Sequence, residues 1–161
     1  MEHKMASSDV SYQNVAVKYG ILVGIVHIVF FLVMWALGLL EIIELSFLSG
    51  IFLVIGIVVA ISSYKRVRRG GIRYLEGFGI GATVGAVSSA ILALFLMVFL
   101  GTLRTGYLEN LQASGLFPES LTLLSLFVLT ILYGTIPGAL IAFIAMQWFK
   151  RRDHNTMPGQ D

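Results

Sequence analysis

GFGIGATVGAVSSAILALFLMVFLGTL, residues 77–103, carries no Asp, Glu, Lys or Arg along its whole length. A helix needs about 20 such residues to cross the hydrocarbon core of a bilayer, so this stretch is long enough to span. Working outward, three more windows have the same character: Tyr19 to Leu40, Leu45 to about Ser63, and Leu121 to Phe149. All four are continuously apolar, whereas membrane-spanning strands alternate apolar and polar residues in segments of about 10. The pattern predicts an all-α fold, a four-helix transmembrane bundle.

The charges between the spans set the orientation, because Lys and Arg accumulate on the cytoplasmic side. Lys4 and Lys18 precede the first span, Lys65, Arg66, Arg68, Arg69 and Arg73 follow the second, and Lys150, Arg151 and Arg152 follow the fourth. That puts 10 of the 11 basic residues on one side, against Arg104 on the other with Glu41, Glu44, Glu109 and Glu119. Both termini are predicted to be cytoplasmic. Residues 1–16 and 153–161 read as tails, and 17–152 as a single four-span domain in a bacterial inner membrane.

Composition agrees. Hydrophobic residues make up 57% and charged residues 12%, against roughly 45–50% and about 25% in soluble proteins. The net charge of +2 follows from the basic flanks and gives no reason to expect nucleic acid as a partner. The first span is too long for a signal-peptide core and lacks a small-x-small cleavage site behind it, so a removable leader is not expected. There is no cysteine, which excludes disulfides and thiolate metal sites. His3, His27 and His154 are too few and scattered to predict a metal, and no cofactor is expected.

Small residues let helices approach closely in lipid. Span three has them at four-residue spacing (Gly77, Gly81, Gly85, Ser89) with a second row at Ala82, Ala86 and Ala90; span four has Gly134, Gly138 and Ala142. On span one, Gly20, Gly24, His27, Phe31, Met34 and Gly38 read as one seam. These rows predict helix–helix contact within the bundle or between copies, with span three as the central helix. Between spans one and two, Glu41 and Glu44 read as solvated caps of a tight hairpin. Between spans three and four, Tyr107 to Gln112 reads as a short surface helix, and Pro118-Glu119 as the first turn of span four.

A polar layer is predicted part-way across. His27 lies eight residues into span one, about 12 Å from the cytoplasmic interface at 1.5 Å per residue, and ionisable side chains within spans usually face the bundle interior. Similar depths reach Gly56 on span two, Ser88 or Ser89 on span three, and Thr135 to Gly138 on span four, where Pro137 should free a carbonyl and kink the helix. The expectation is that His27 faces inward and touches span three or four. The layer is either a hydrogen-bonded neutral imidazole within the packing or a small polar cavity for a ligand, ion or proton. At the cytoplasmic face, Lys65, Arg66, Arg68, Arg69 and Arg73 serve topogenesis or bind anionic headgroups.

The run Tyr64-Lys-Arg66, then Gly70-Gly-Ile-Arg-Tyr-Leu-Glu-Gly-Phe78, the glycine-rich third span and Tyr107-Leu-Glu109 resembles a family of small four-span bacterial membrane proteins. That family is known as domain of unknown function 4199 and is typical of the Bacteroidota. The resemblance extends over about Val15 to Arg152, and its loose motif falls on Gly71, Tyr74, Glu76 and Gly81. Gly106 stands where family members often carry proline. The resemblance implies the four-span fold and a membrane location, and no catalytic residues.

Proton-coupled transport needs an acid inside a span, and the four windows hold none. A channel needs charged or carbonyl rings, which an oligomer alone would supply. Ser88, Ser89 and His27 are the only nucleophile-and-base set within reach of a meeting, and no hydrolase motif surrounds them. The reading is therefore a non-catalytic packing or interaction module, not an enzyme, whose partners are the lipid bilayer and a second copy or another membrane protein. The alternative is a small oligomeric transporter or channel with a polar layer around His27.

Overall fold

Ser11 sets the start of the first helix by accepting a hydrogen bond from the Gln13 N–H through its hydroxyl at 3.3 Å, the role of an N-cap. In the computed structural model, which describes residues 11–39, 47–68, 71–102 and 122–151, all regular structure among the described residues is helical. The helices are α1 (Tyr12–Ala36), α2 (Ser49–Val67), α3 (Tyr74–Thr102) and α4 (Leu123–Arg151), each long and apolar enough to cross a membrane. The chain is a multi-pass integral membrane protein with an all-α four-helix fold.

The ends of the helices differ from the apolar windows because caps, not hydropathy, decide them. α1 starts seven residues before Tyr19, at the Ser11 cap, and stops at a Schellman turn. There Leu39 N–H donates to the Met34 carbonyl at 2.9 Å and Gly38 N–H to that of Trp35 at 3.0 Å, with Gly38 at φ +69°. Gly38 is thus a turn residue with nothing near its α-carbon, not a member of the packing seam. α2 begins four residues later than expected and continues through Lys65 and Arg66. α4 begins after Thr122, whose hydroxyl accepts the Ser125 N–H at 3.1 Å, and Pro118-Glu119, read from sequence as its first turn, lies outside the described residues. The Glu41–Glu44 turn, the 107–112 segment, Arg69, Arg104, residues 1–10 and residues 152–161 lie outside the described residues, while 12–16 of the expected N-terminal tail belong to α1.

Helix α3 is the hub: its longest interface is with α4, the next with α1, and it also meets α2, while α1 and α4 stand on opposite flanks and scarcely meet. α1 and α3 run parallel, with Gly20 against Val87 and Gly24 against Ile91. α3 and α4 run antiparallel in one regular ladder: Gly77 meets Met146, Gly81 meets Ala142, Gly85 meets Gly138, and Ser89 meets Gly134. The Gly77–Ser89 row of α3 and the Gly134–Ala142 row of α4 are therefore consumed inside the chain. α2 pairs antiparallel with α1, placing Gly56 on the Val23 side chain.

Two cores result. Toward the end of the bundle that carries the α2–α3 turn (the basic end), Ile57, Ile61, Ile80, Val84, Ala142 and Met146 pack together. Toward the opposite end, Phe99, Leu100 and Leu126 pack with Phe31 and Phe95, and the Phe31–Phe99 and Trp35–Phe99 rings meet edge to face at 5.3 and 5.5 Å. Lipid tails are as apolar as leucine, so this contact geometry, not burial from water, holds the helices together. The remaining apolar side chains, among them Ile25, Val58, Leu94, Ile136 and Ile144, point outward, as a lipid-facing surface requires.

Candidate functional site

Because α1 begins at Tyr12, His27 lies fifteen residues from its start and nine from its end at Ala36, farther from the basic end than the apolar window implied. Its side chain is 8% exposed, so it faces inward as expected. Its partner is not on the third or fourth helix: Nε2 lies 3.0 Å from the carbonyl oxygen of Ser49, in the first turn of α2. A carbonyl only accepts, so Nε2 bears the hydrogen and Nδ1 is the acceptor nitrogen. Nδ1 is buried and has no hydrogen-bond partner.

The predicted layer is divided. In the α1–α3 register, Gly24 faces Ile91, which places His27 at the height of residue 94 and about 9 Å along the axis from Ser88 at 1.5 Å per residue. Gly56 faces Val23, one turn nearer the basic end than His27. Ser88 and Ser89 are buried and belong to the α3–α4 contact. Ser88 Oγ donates to the Gly85 carbonyl at 3.2 Å. Ser89 Oγ also reaches Gly85, at 2.6 Å, and lies 3.4 Å from the Ile131 carbonyl across the interface. Thr135 donates to Ile131 within its own helix at 2.7 Å. Pro137 lies within α4, which continues unbroken past it. Ser88, Ser89, Thr135, Gly134 and Gly138 thus share one region, and His27 stands apart with α2.

At the basic end the predicted lipid ligands divide into engaged and outward groups. One Nη of Arg68 donates to both Glu76 carboxylate oxygens at 2.6 and 2.7 Å, and that hydrogen bonding raises the Arg68 pKa, keeping it cationic. The Glu76 carboxylate also accepts the Arg73 N–H at 3.0 Å, half of a capping box at the start of α3. Lys65 donates to the Phe149 carbonyl at 3.1 Å, a cation at the negative end of α4. Arg73 is exposed, yet its Nε also lies 3.5 Å from the Glu76 carboxylate, and Arg66 is exposed.

No protein-family model, curated protein or solved structure matches this chain. Its role must be read from its own geometry.

Several contacts at the basic end were not anticipated from sequence. Tyr19 and Ser63 hydroxyls join α1 to α2 at 2.7 Å, and Tyr74 joins α3 to α4 by donating to the Phe143 carbonyl at 3.2 Å. Tyrosines flanking apolar runs signal such interface anchors, but their partners follow only from the register. The helix pairs also use different contacts. α3 meets α1 and α4 through glycines, whereas α2 adds to its Gly56–Val23 contact polar bonds involving His27, Tyr19, Lys65 and Arg68.

Proposed function

We propose that this protein is a non-catalytic packing or interaction module of a bacterial inner membrane, with the basic end in the cytoplasm. The observation that carries this reading is the commitment of the interior hydroxyls. Ser88, Ser89, Thr130 and Thr135 each donate to a carbonyl of their own helix, which supports a role in packing. The glycine rows serve the fold in the same way, leaving an outer surface of apolar side chains for lipid, a second copy or another membrane protein. The basic bias supports the orientation, and the resemblance to the 4199 family supports the membrane setting.

A flux assay tests the proposal against its rival, a small oligomeric transporter or channel. Purified protein in liposomes, challenged with a panel of monovalent ions, protons and small solutes, should leak no faster than protein-free vesicles. Saturable or protein-dependent flux of any one species would favour the rival. Photo-crosslinking from Ile136 or Ile144, on the exposed face of α4, should then capture a protein neighbour in native membranes.

A further inference from the structure

His27 offers one ring nitrogen with no protein partner, in a bundle whose other buried polar side chains are satisfied among the described residues. The residue is 8% exposed and Nδ1 is inaccessible, so bulk solvent does not solvate it, and an unpaired buried acceptor carries a desolvation penalty. Interior hydroxyls do not relieve it. Ser88 and Ser89 are turned to Gly85 and lie five to six residues nearer the basic end in the α1–α3 register, and Thr130 is turned to Leu126.

The ligand's chemistry follows from the groups present. With Nε2–H directed at the Ser49 carbonyl, Nδ1 accepts and does not donate, which disfavours an anion. No group of three His, Cys, Asp or Glu capable of holding a metal exists among the described residues. The first turn of α2 does not relieve Nδ1 either, since the Gly50 and Ile51 N–H groups donate to the Phe47 and Leu48 carbonyls at 3.0 Å and the Ser49 carbonyl faces Nε2. A neutral O–H group suits Nδ1, donating its hydrogen to that nitrogen. We propose that His27 Nδ1 is an internal acceptor site for a neutral O–H group, either a water molecule or a lipid hydroxyl. The site goes beyond the packing-module reading and does not depend on it, because a bound hydroxyl is compatible with either that role or its rival.

The test uses the full chain labelled with [15N]histidine, with His3→Gln and His154→Gln leaving His27 as the sole histidine. Solid-state NMR spectra are taken in phosphatidylcholine, which has no O–H or N–H donor, and in the same lipid with added diacylglycerol. The expected result is a protonated Nε2 and an unprotonated Nδ1 with the shift of a hydrogen-bonded acceptor. Magnetisation transfer from water to Nδ1 in phosphatidylcholine alone identifies water. A hydrogen-bonded shift that develops only with diacylglycerol identifies the lipid hydroxyl. A protonated Nδ1, or a free-acceptor shift in both bilayers, would overturn the proposal.

Discussion

Gly85 and Gly134 meet backbone to backbone: a β-carbon on Gly85 would fall on the Gly134 carbonyl and 3.2 Å from the Thr135 Cα. No rotamer change relieves an overlap with backbone, so the helices themselves must part. Gly85→Ala is expected to destabilise the fold by about 1–3 kcal/mol, the range for overpacking a filled interior. Gly50 and Gly101 are helical, and a methyl group added at either would meet nothing within 4 Å. Alanine there should be neutral or stabilising by up to about 1 kcal/mol, since glycine is the poorer helix former. Thermal unfolding in detergent compares the three. Equal losses at all three positions would remove the argument that the α3–α4 ladder is special.

Gly56 and Val23 make the corresponding contact between α1 and α2, but here the obstacle is a side chain. A methyl group on Gly56 would overlap Val23 Cγ2, and a β-branched residue has little rotamer freedom in a helix. Gly56→Ala should lower stability by about 1–3 kcal/mol, and adding Val23→Ala should restore a measurable part of it despite removing apolar volume. A double-mutant cycle reads the coupling. Simple additivity would mean that α2 adjusts independently of Val23.

Gly38 tests the end of α1. Its φ of +69° is the left-handed conformation that costs an L-residue about 1–2 kcal/mol, and a β-carbon added there would meet nothing within 4 Å. Gly38→Ala should therefore destabilise by about 1 kcal/mol through backbone strain alone. Gly38→Asn, a residue that visits this region more readily, should lose less. Identical effects from both would point away from the Schellman turn.

The four apolar windows made the span number and the helical class legible, and the spacing of Gly77, Gly81, Gly85, Gly134 and Gly138 anticipated the tightest interface. Helix ends were not legible from hydropathy, because Ser11, Gly38 and Thr122 fix them by hydrogen bonding and backbone conformation. This shift moved His27 relative to its expected neighbours: a depth counted from Tyr19 aligns it with the serines, whereas the real start at Tyr12 and the α1–α3 register set it about 9 Å beyond Ser88 at 1.5 Å per residue. Nor could periodicity choose its partner helix, since α1 is apolar on nearly every face. The pairing of Glu76 with Arg68 was hidden for another reason. They lie eight positions apart at the ends of different helices, and sequence alone does not show that the two side chains meet.

The orientation is open to a direct chemical check because the chain has no native cysteine. Single substitutions Ser7→Cys, Ser114→Cys and Thr156→Cys sample the N-terminal tail, the 102–120 connection and the C-terminal tail. Impermeant thiol reagent on intact spheroplasts should label Ser114→Cys alone, and all three after permeabilisation. Labelling of Ser7→Cys in intact cells would invert the orientation.

At the basic end, the ion pairing separates residues that sequence treats alike. Both Arg66 and Arg68 are exposed, but Arg68 already donates to Glu76, so the two should respond unequally to anionic lipid. Arg66→Gln is expected to weaken capture by phosphatidylglycerol vesicles by up to about fivefold, given about 1 kcal/mol per basic residue near the surface. Arg68→Gln should change it less. Glu76→Gln should strengthen it, because Arg68 is released while the amide oxygen can still accept the Arg73 N–H. An exposed ion pair contributes at most about 1 kcal/mol, so the Glu76→Gln protein should remain folded and inserted, allowing the gain to be measured. Loss of capture in Glu76→Gln, or equal losses in both arginine variants, would show that headgroups read the total charge of this end and not the arginines left outside the pair.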